Sequence, residues 1–185
     1  MYDKFSRVLR IETTTNNPNE FRQYRSVEHR EGVKTNKLAP VRKYIYSLKP
    51  LAQIMYQCNK RYIEFMAAFD NPTIGKKRLQ KVTKKSKVNN RTYKGFNFFD
   101  KGDEQIFKVI ANGDFIINGF RNKNLKSLIG KSTSQISRII KRLRVKGLIR
   151  KVKNSYRYIV TKLGQQIIAT SLNFKELILV NQLEY

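Results

Sequence analysis

The chain has 185 residues, enough for one domain or two small ones, and 40% of them are apolar, enough to bury a core. Its 39 Lys and Arg against 13 Asp and Glu leave a formal charge of +26. That excess exceeds what solubility needs and predicts a polyanionic partner, nucleic acid first and an anionic membrane surface second. The single cysteine, Cys58, excludes an intrachain disulfide and reads as an inert buried thiol. No apolar run nears the roughly 18 residues of a membrane span. No signal-peptide pattern opens the chain, so the expectation is a soluble, cytoplasmic protein with no membrane partner.

Residues 5 to 15 alternate in part and end in Thr13-Thr14-Thr15, which predicts a strand around Val8-Leu9-Arg10-Ile11. So close to Tyr2-Asp3-Lys4, that strand calls for a sheet partner from residues upstream, as if the chain were the C-terminal part of a longer protein. Asn16-Asn17-Pro18-Asn19 signals a turn, and Glu31-Gly32 a hairpin or loop. Glu20 to Arg30 is ambiguous, and Thr35 to Tyr46 is basic and mixed. From Pro50, apolar Leu51, Ile54, Met55, Cys58, Tyr62, Phe65, Met66 and Phe69 recur at spacings of three and four, so a long helix is predicted, ended by Asp70-Asn71-Pro72. Its apolar face suits core packing, with a dimer seam as the alternative.

Ile74 to Lys94 holds nine basic residues and no acidic one: Lys76, Lys77, Arg78, Lys81, Lys84, Lys85, Lys87, Arg91 and Lys94. Self-repulsion and few apolar residues predict an extended or loosely helical linker that contacts nucleic-acid phosphates, or a plain solvated linker. Phe96-Asn97-Phe98 then returns the chain to a core. The expected organisation is an N-terminal strand-and-helix region over 1–75, a basic linker over 76–95 and a DNA-binding domain over 96–185.

Glu104 to Ala111 reads as a first helix, Phe115-Ile116-Ile117 as a short strand, and Asn122 to Ile129 as a second helix ended by Gly130, which tolerates a left-handed turn. Ser132 or Thr133 caps a third helix whose inward set is Ile136, Ile139, Ile140 and Leu143. Leu148 to Val152 and Tyr156 to Val160 are strands joined at Lys153-Asn154-Ser155, and Thr161 caps a final helix from Lys162 to about Glu176. The tail from Ile178 to Tyr185 is apolar enough to dock. Helix, turn, helix and basic hairpin is the order of a winged helix-turn-helix. The fold class expected is therefore α+β, a C-terminal winged helix-turn-helix joined to a small α/β N-terminal segment with one long helix.

In that reading the third helix, about 133–146, enters the major groove. Thr133, Ser134, Gln135, Ser137 and Arg138 lie at its leading end. Gln135 matches adenine and Arg138 guanine in bidentate geometry. Lys141, Arg142, Arg144 and Lys146 lie further along and suit phosphates. The hairpin adds Lys151, Lys153, Asn154, Ser155 and Arg157, which suit the minor groove or backbone. Tyr156 and Tyr158 share one face of their strand and read as packing residues, with bracing of the wing as the alternative. The partner expected is double-stranded DNA, with a homodimer as a further expectation and no cofactor.

Arg142-Leu143-Arg144-Val145-Lys146-Gly147-Leu148-Ile149-Arg150-Lys151, followed by Tyr156-Arg157-Tyr158-Ile159-Val160-Thr161-Lys162-Leu163-Gly164, resembles bacterial winged-helix regulators of the MarR and ArsR kind. The resemblance covers about a third of the chain and implies the fold more than the role. Met1-Tyr2-Asp3-Lys4-Phe5, Val8 to Thr14, Val27-Glu28-His29-Arg30 and Gly119-Phe120-Arg121-Asn122 are similar to the C-terminal part of an uncharacterised bacterial family of longer proteins, which implies residues upstream of Met1. The Tyr-Asp-Lys and Leu-Arg-Ile-Glu segments also resemble replication initiators of filamentous phages and plasmids. Two alternatives to a DNA-binding regulator follow: the target-recognition part of an initiator or transposase with its chemistry upstream, and a winged-helix protein-interaction module.

No enzyme is expected. Asp3, Glu12, Glu28, His29 and Glu31 form the one group that suggests a divalent metal, and sequence does not bring them together. No Walker loop, zinc-ligand spacing or dinucleotide glycine motif is present.

Overall fold

The computed structural model describes the backbone of residues 2–70 and 76–183, and the side chains of the same ranges apart from residues 2, 4, 70, 76, 77 and 174–183. The fold is mixed α+β, with several helices and small antiparallel two-stranded sheets. The chain divides into two compact units, Met1–Lys60 and Arg61–Tyr185, each considered separately below.

In the first unit, β1 (Tyr2–Lys4) pairs with β2 (Val8–Arg10), Asp3 opposite Leu9. The strand expected to need a partner from upstream therefore finds it three residues away. Phe5 and Ser6 both take positive φ, 58° and 53°, and the Ser6 N–H donates to Asp3 Oδ2, so the reversal is short enough to close locally. Asn17 caps a single 3-10 turn over Pro18–Glu20, its side chain accepting from the Asn19 N–H. The ambiguous segment after it is a strand, β3 (Arg22–Glu28), paired along its whole length with β4 (Lys34–Pro40). Gly32, at φ 77°, lies in the reversal of this hairpin, the first of the two forms, hairpin or loop, expected at Glu31-Gly32. Among the described residues of this unit the buried apolar side chains are few and small, Pro18, Ala39, Val41 and Cys58, while Tyr24, Tyr44, Ile45 and Tyr46 stay exposed.

Helix α1 (Leu48–Asp70) starts with Pro50 in its first turn, where the missing N–H costs nothing, and the unit boundary falls within it. Its Phe65 joins the core of the second unit, with Tyr62 and Phe69 packed at the edge. Met66, expected on the buried face, is exposed.

The basic run is not extended. Helix α2 (Lys76–Thr83) is followed by a hairpin of β5 (Ser86–Val88) and β6 (Arg91–Tyr93). Val82 is fully buried and the Phe96 N–H donates to Val82 O, so the run is anchored at its middle and its end. A Cβ on Gly95 would sit 1.7 Å from Thr83 O, so only glycine permits this approach. Of the two forms expected, the helical one agrees with α2, while the hairpin after it was not foreseen because the anchors Val82 and Phe96 are not legible from charge.

Helix α3 (Lys101–Ile110) is capped by Asp100, whose carboxylate accepts from the Asp103 N–H. The next segment departs from expectation. Phe115-Ile116-Ile117 is helical, within α4 (Gly113–Asn118), capped by the Asn112 side chain. A three-residue apolar run does not reveal its period, and the Asn112 cap with Phe115 and Ile116 inward decides for helix. What remains of a third strand is one bridge, Phe120 with Tyr158, bonded in both directions at 2.9 and 2.8 Å.

Helix α5 (Asn122–Ile129) ends on Gly130 at φ 69°, ψ 21°, the left-handed cap foreseen for it. Helix α6 (Thr133–Val145) follows after a three-residue turn, and buries Ile136, Ile140 and Leu143. Strands β7 (Ile149–Lys151) and β8 (Tyr158–Val160) pair antiparallel, and α7 (Lys162–Leu183) closes the unit. The core is contiguous around Phe96, Phe107, Phe120, Leu125, Ile136, Leu143, Leu148, Ile167 and Ile168. The expected docking of the tail from Ile178 lies outside the described side chains. No helix among the described residues is long and apolar enough to cross a membrane.

Candidate nucleic-acid interface

Helix α6 sorts its residues by depth. Ile136, Ile140 and Leu143 point inward, so 3.6-residue periodicity turns Thr133, Ser134, Ser137, Arg138, Lys141 and Arg144 outward, and all six are exposed. Its N-terminus is closed by a reciprocal cap. Ser132 Oγ accepts from the Gln135 N–H at 3.3 Å, and Gln135 Oε1 accepts from the Ser132 N–H at 3.0 Å. Gln135 is exposed, but this rotamer folds its amide back over the cap. A bidentate adenine contact requires the cap to open. Ser134 Oγ lies 3.0 Å from Ser132 Oγ, and Ser137 Oγ accepts from Asn122 Nδ2 at 3.4 Å, tying α6 to the start of α5.

Two cations expected on the outward face are turned inward. The Arg142 guanidinium forms a bidentate pair with the Asp103 carboxylate, Nη1 to Oδ1 at 2.6 Å and Nη2 to Oδ2 at 2.7 Å. It also donates from Nε to Lys94 O at 3.0 Å and from Nη2 to Gly95 O, and it lies 3.8 Å from the Phe96 ring centroid. Position 142 flanks the buried stripe, and a nearby acid with two free carbonyls captures its fork. Lys146 is 1% exposed. Its ammonium donates to Lys81 O, Lys84 O and Ser86 Oγ, satisfying carbonyls at the end of α2. Burial first, and the neighbouring Arg142 second, lower the Lys146 pKa below its ordinary 10.5.

The β7–β8 hairpin divides in the same way. Lys151, Lys153 and Asn154 are exposed, Asn154 at φ 53° in the reversal. Lys151 Nζ lies 5.6 Å from the centroid of the exposed Tyr156 ring, so Tyr156 packs on that lysine rather than on the core. Ser155, expected at the tip as a contact, shapes the turn: its Oγ donates to Val152 O at 2.9 Å and accepts from the Arg157 N–H at 3.2 Å. Arg157 is half-buried and donates from Nη1 to Asn118 O at 2.8 Å, bracing the hairpin on the end of α4.

Of the basic run, Arg78, Lys81, Lys84, Lys85 and Lys87 are exposed, while the side chains of Lys76 and Lys77 lie outside the described residues. Two grooves border α6. One, of about 730 Å³, runs between β6 and the helix and is lined by Arg91, Tyr93, Lys94, Ser137, Arg138 and Lys141 among others. The other, of about 370 Å³, lies on the β7 side and is lined by Val88, Lys141, Arg144, Arg150 and Lys151 with the apolar Val145 and Ile149. Lys141 borders both. Sequence reading missed the first groove because it treated the hairpin that makes one wall as linker. Val88-Asn89-Asn90-Arg91 was the available signal, since paired asparagines between strands favour a two-residue loop.

Among the described residues no group of three His, Cys, Asp or Glu side chains is placed to hold a metal ion. His29 ends the β3 strand region, its Nε2 within 2.8 Å of Thr35 Oγ1. No family model, curated protein or solved structure matches this chain.

Proposed function

We propose that the second unit is a winged helix-turn-helix that binds duplex DNA, with α6 as the recognition helix and the β7–β8 hairpin as the wing. The observation that carries this reading is the outward face of α6. After a three-residue turn from α5, that helix presents Ser134, Ser137, Arg138 and Lys141 unburied, while its opposite face is locked into the core. Such a helix can lie in a major groove leading end first. Arg138 suits a guanine edge, the small hydroxyls of Thr133 and Ser134 suit a base edge or a phosphate, and Lys141, Lys151 and Lys153 suit the backbone. The charge of +26 adds a long-range attraction that brings the duplex in before any base is read. In this reading the protein works in the cytoplasm, as a regulator or as the target-recognition part of a replication or transposition protein.

The test is a titration against random duplex over a range of salt concentrations, followed by selection of preferred sites. Tight binding at low salt with a steep salt slope, and a selected site whose preference weakens in Arg138→Ala, is the expected result. Absence of binding at low salt would overturn the proposal. A palindromic selected site with half-sites about one helical turn apart would identify a homodimer.

A further inference from the structure

The two cations that α6 turns inward both hold the same object. Arg142 bonds the carbonyls of Lys94 and Gly95, where the β5–β6 hairpin ends. Lys146, one helical turn on, bonds Lys84 O and Ser86 Oγ, where the hairpin begins. The two base strands of the hairpin are thus pinned to one side of α6 by residues at i and i+4 of the helix itself. The loop at its far end is Asn89-Asn90, with φ 47° and 58°, as a two-residue hairpin loop of matching twist requires. Pleat alternation then sets the faces. Ser86 stands opposite Tyr93 and Val88 opposite Arg91, so these four share one face and Lys87 and Thr92 the other, while the segment from Arg91 through Thr92 and Tyr93 to Lys94 lines the groove beside α6.

We propose that the β5–β6 hairpin is a second wing, and that the groove between it and α6 holds one strand of the DNA sugar-phosphate backbone. Resting on the duplex-binding reading above, it adds a phosphate clamp beside the recognition helix, next to the β7 side, since Val88 of the hairpin and Arg150 and Lys151 of β7 line a common groove. Five cations line this groove; Arg142 is engaged by Asp103, and Arg91, Lys94, Arg138 and Lys141 are exposed, with no acid among the described residues that line it. Asp103, which holds the wall residue Arg142, is already neutralised by the bidentate pair with it. A concave surface with one sign of charge and rigid walls attracts phosphates without reading bases. Its side chains are exposed, so no core rearrangement is needed for them to reach a backbone.

The experiment uses the full chain with Arg91→Gln/Lys94→Gln. Both side chains are exposed, and the Lys94 carbonyl that Arg142 uses is unchanged. Thermal unfolding checks that the fold survives, and Arg91→Gln alone serves if the pair does not fold. Two readouts are taken on a duplex: the slope of log affinity against log salt, and interference by ethylation of single phosphates. The expected result is a slope smaller in magnitude by about 1–2, with one cluster of phosphates no longer sensitive to ethylation and the selected sequence unchanged. An unchanged slope, or a smaller slope with every phosphate still sensitive, overturns the second wing while leaving duplex binding intact. Failure of the unaltered protein to bind duplex at low salt overturns both proposals.

Discussion

Replacement of Arg142 by alanine distinguishes a structural residue from a contact residue on the same helix. Arg142 and Asp103 are largely buried, with side-chain exposures of 17% and 7%, and are 2.6 Å apart. Removing the guanidinium leaves the Asp103 carboxylate without its cation, although the Asn97 N–H still donates to it at 2.9 Å. It also strips the Lys94 and Gly95 carbonyls of their donor and uncovers one face of Phe96. Breaking a buried pair by deleting one partner costs about 3–5 kcal/mol. The remaining Asn97 bond and the partial exposure of the arginine place this case near 3 kcal/mol. With a urea dependence of about 2 kcal/mol per molar, the unfolding midpoint should fall by about 1.5 M. Far-UV circular dichroism during urea titration measures it. Asp103→Asn/Arg142→Ala should recover part of the loss, on the order of 1 kcal/mol, because no unpaired charge is left behind. If Arg142→Ala unfolds within about 0.5 kcal/mol of the parent, the level of an ordinary surface change, and duplex affinity collapses instead, the structural assignment of Arg142 is wrong.

Lys146→Met removes the donor to three oxygens and should cost about 2–3 kcal/mol in urea. Because the folded-state pKa of Lys146 lies below its ordinary 10.5, the unfolded chain binds more protons between those two values. The parent should therefore gain stability as pH rises through that window, and Lys146→Met should lack that gain in unfolding followed from neutral pH to about 10.5. Gly95→Ala pushes a methyl into Thr83 O and should destabilise by about 1–3 kcal/mol, seen as a lower melting temperature. Ser132→Ala opens the cap of α6 and should cost about 1 kcal/mol. An equal melting temperature would mean that Gln135 closes the helix alone. Arg138→Ala should leave stability within about 0.5 kcal/mol and lower discrimination at one base position by about 1–3 kcal/mol, measured by competition between single-base variants of the selected site.

Helices α5 and α6 were legible because two local signals agreed in each. Leu125 and Ile129 set the period of α5 and Gly130 its stop, while Ser132 opens α6 and Ile136, Ile140 and Leu143 set its buried stripe. The inward turn of Arg142 and Lys146 was not legible. Both lie beside the buried stripe, and their fate depends on carbonyls at positions 81, 84, 94 and 95, far away in sequence. The β5–β6 hairpin was hidden for a related reason. Its strands are three residues each, too short for alternation to register, and its lysines dominated the composition. Phe115-Ile116-Ile117 misled because β-propensity in three residues is weaker than one capping side chain and a place in the core. On the candidate interface, exposure followed periodicity for Arg138 and Lys141. Gln135, Ser155 and Arg157 were captured by their own neighbourhood, which only coordinates reveal.

The lone thiol gives the chain a clock of its own. Cys58 is 2% exposed, so a thiol-specific dye can react only during excursions that open the turn of α1 around it. With no second cysteine to confuse the signal, the labelling rate divided by that of a free thiol reads the fraction of time this turn is ajar. Adding duplex DNA and timing the same reaction would then tell whether occupation of α6 quiets a helix whose first residues belong to the other unit.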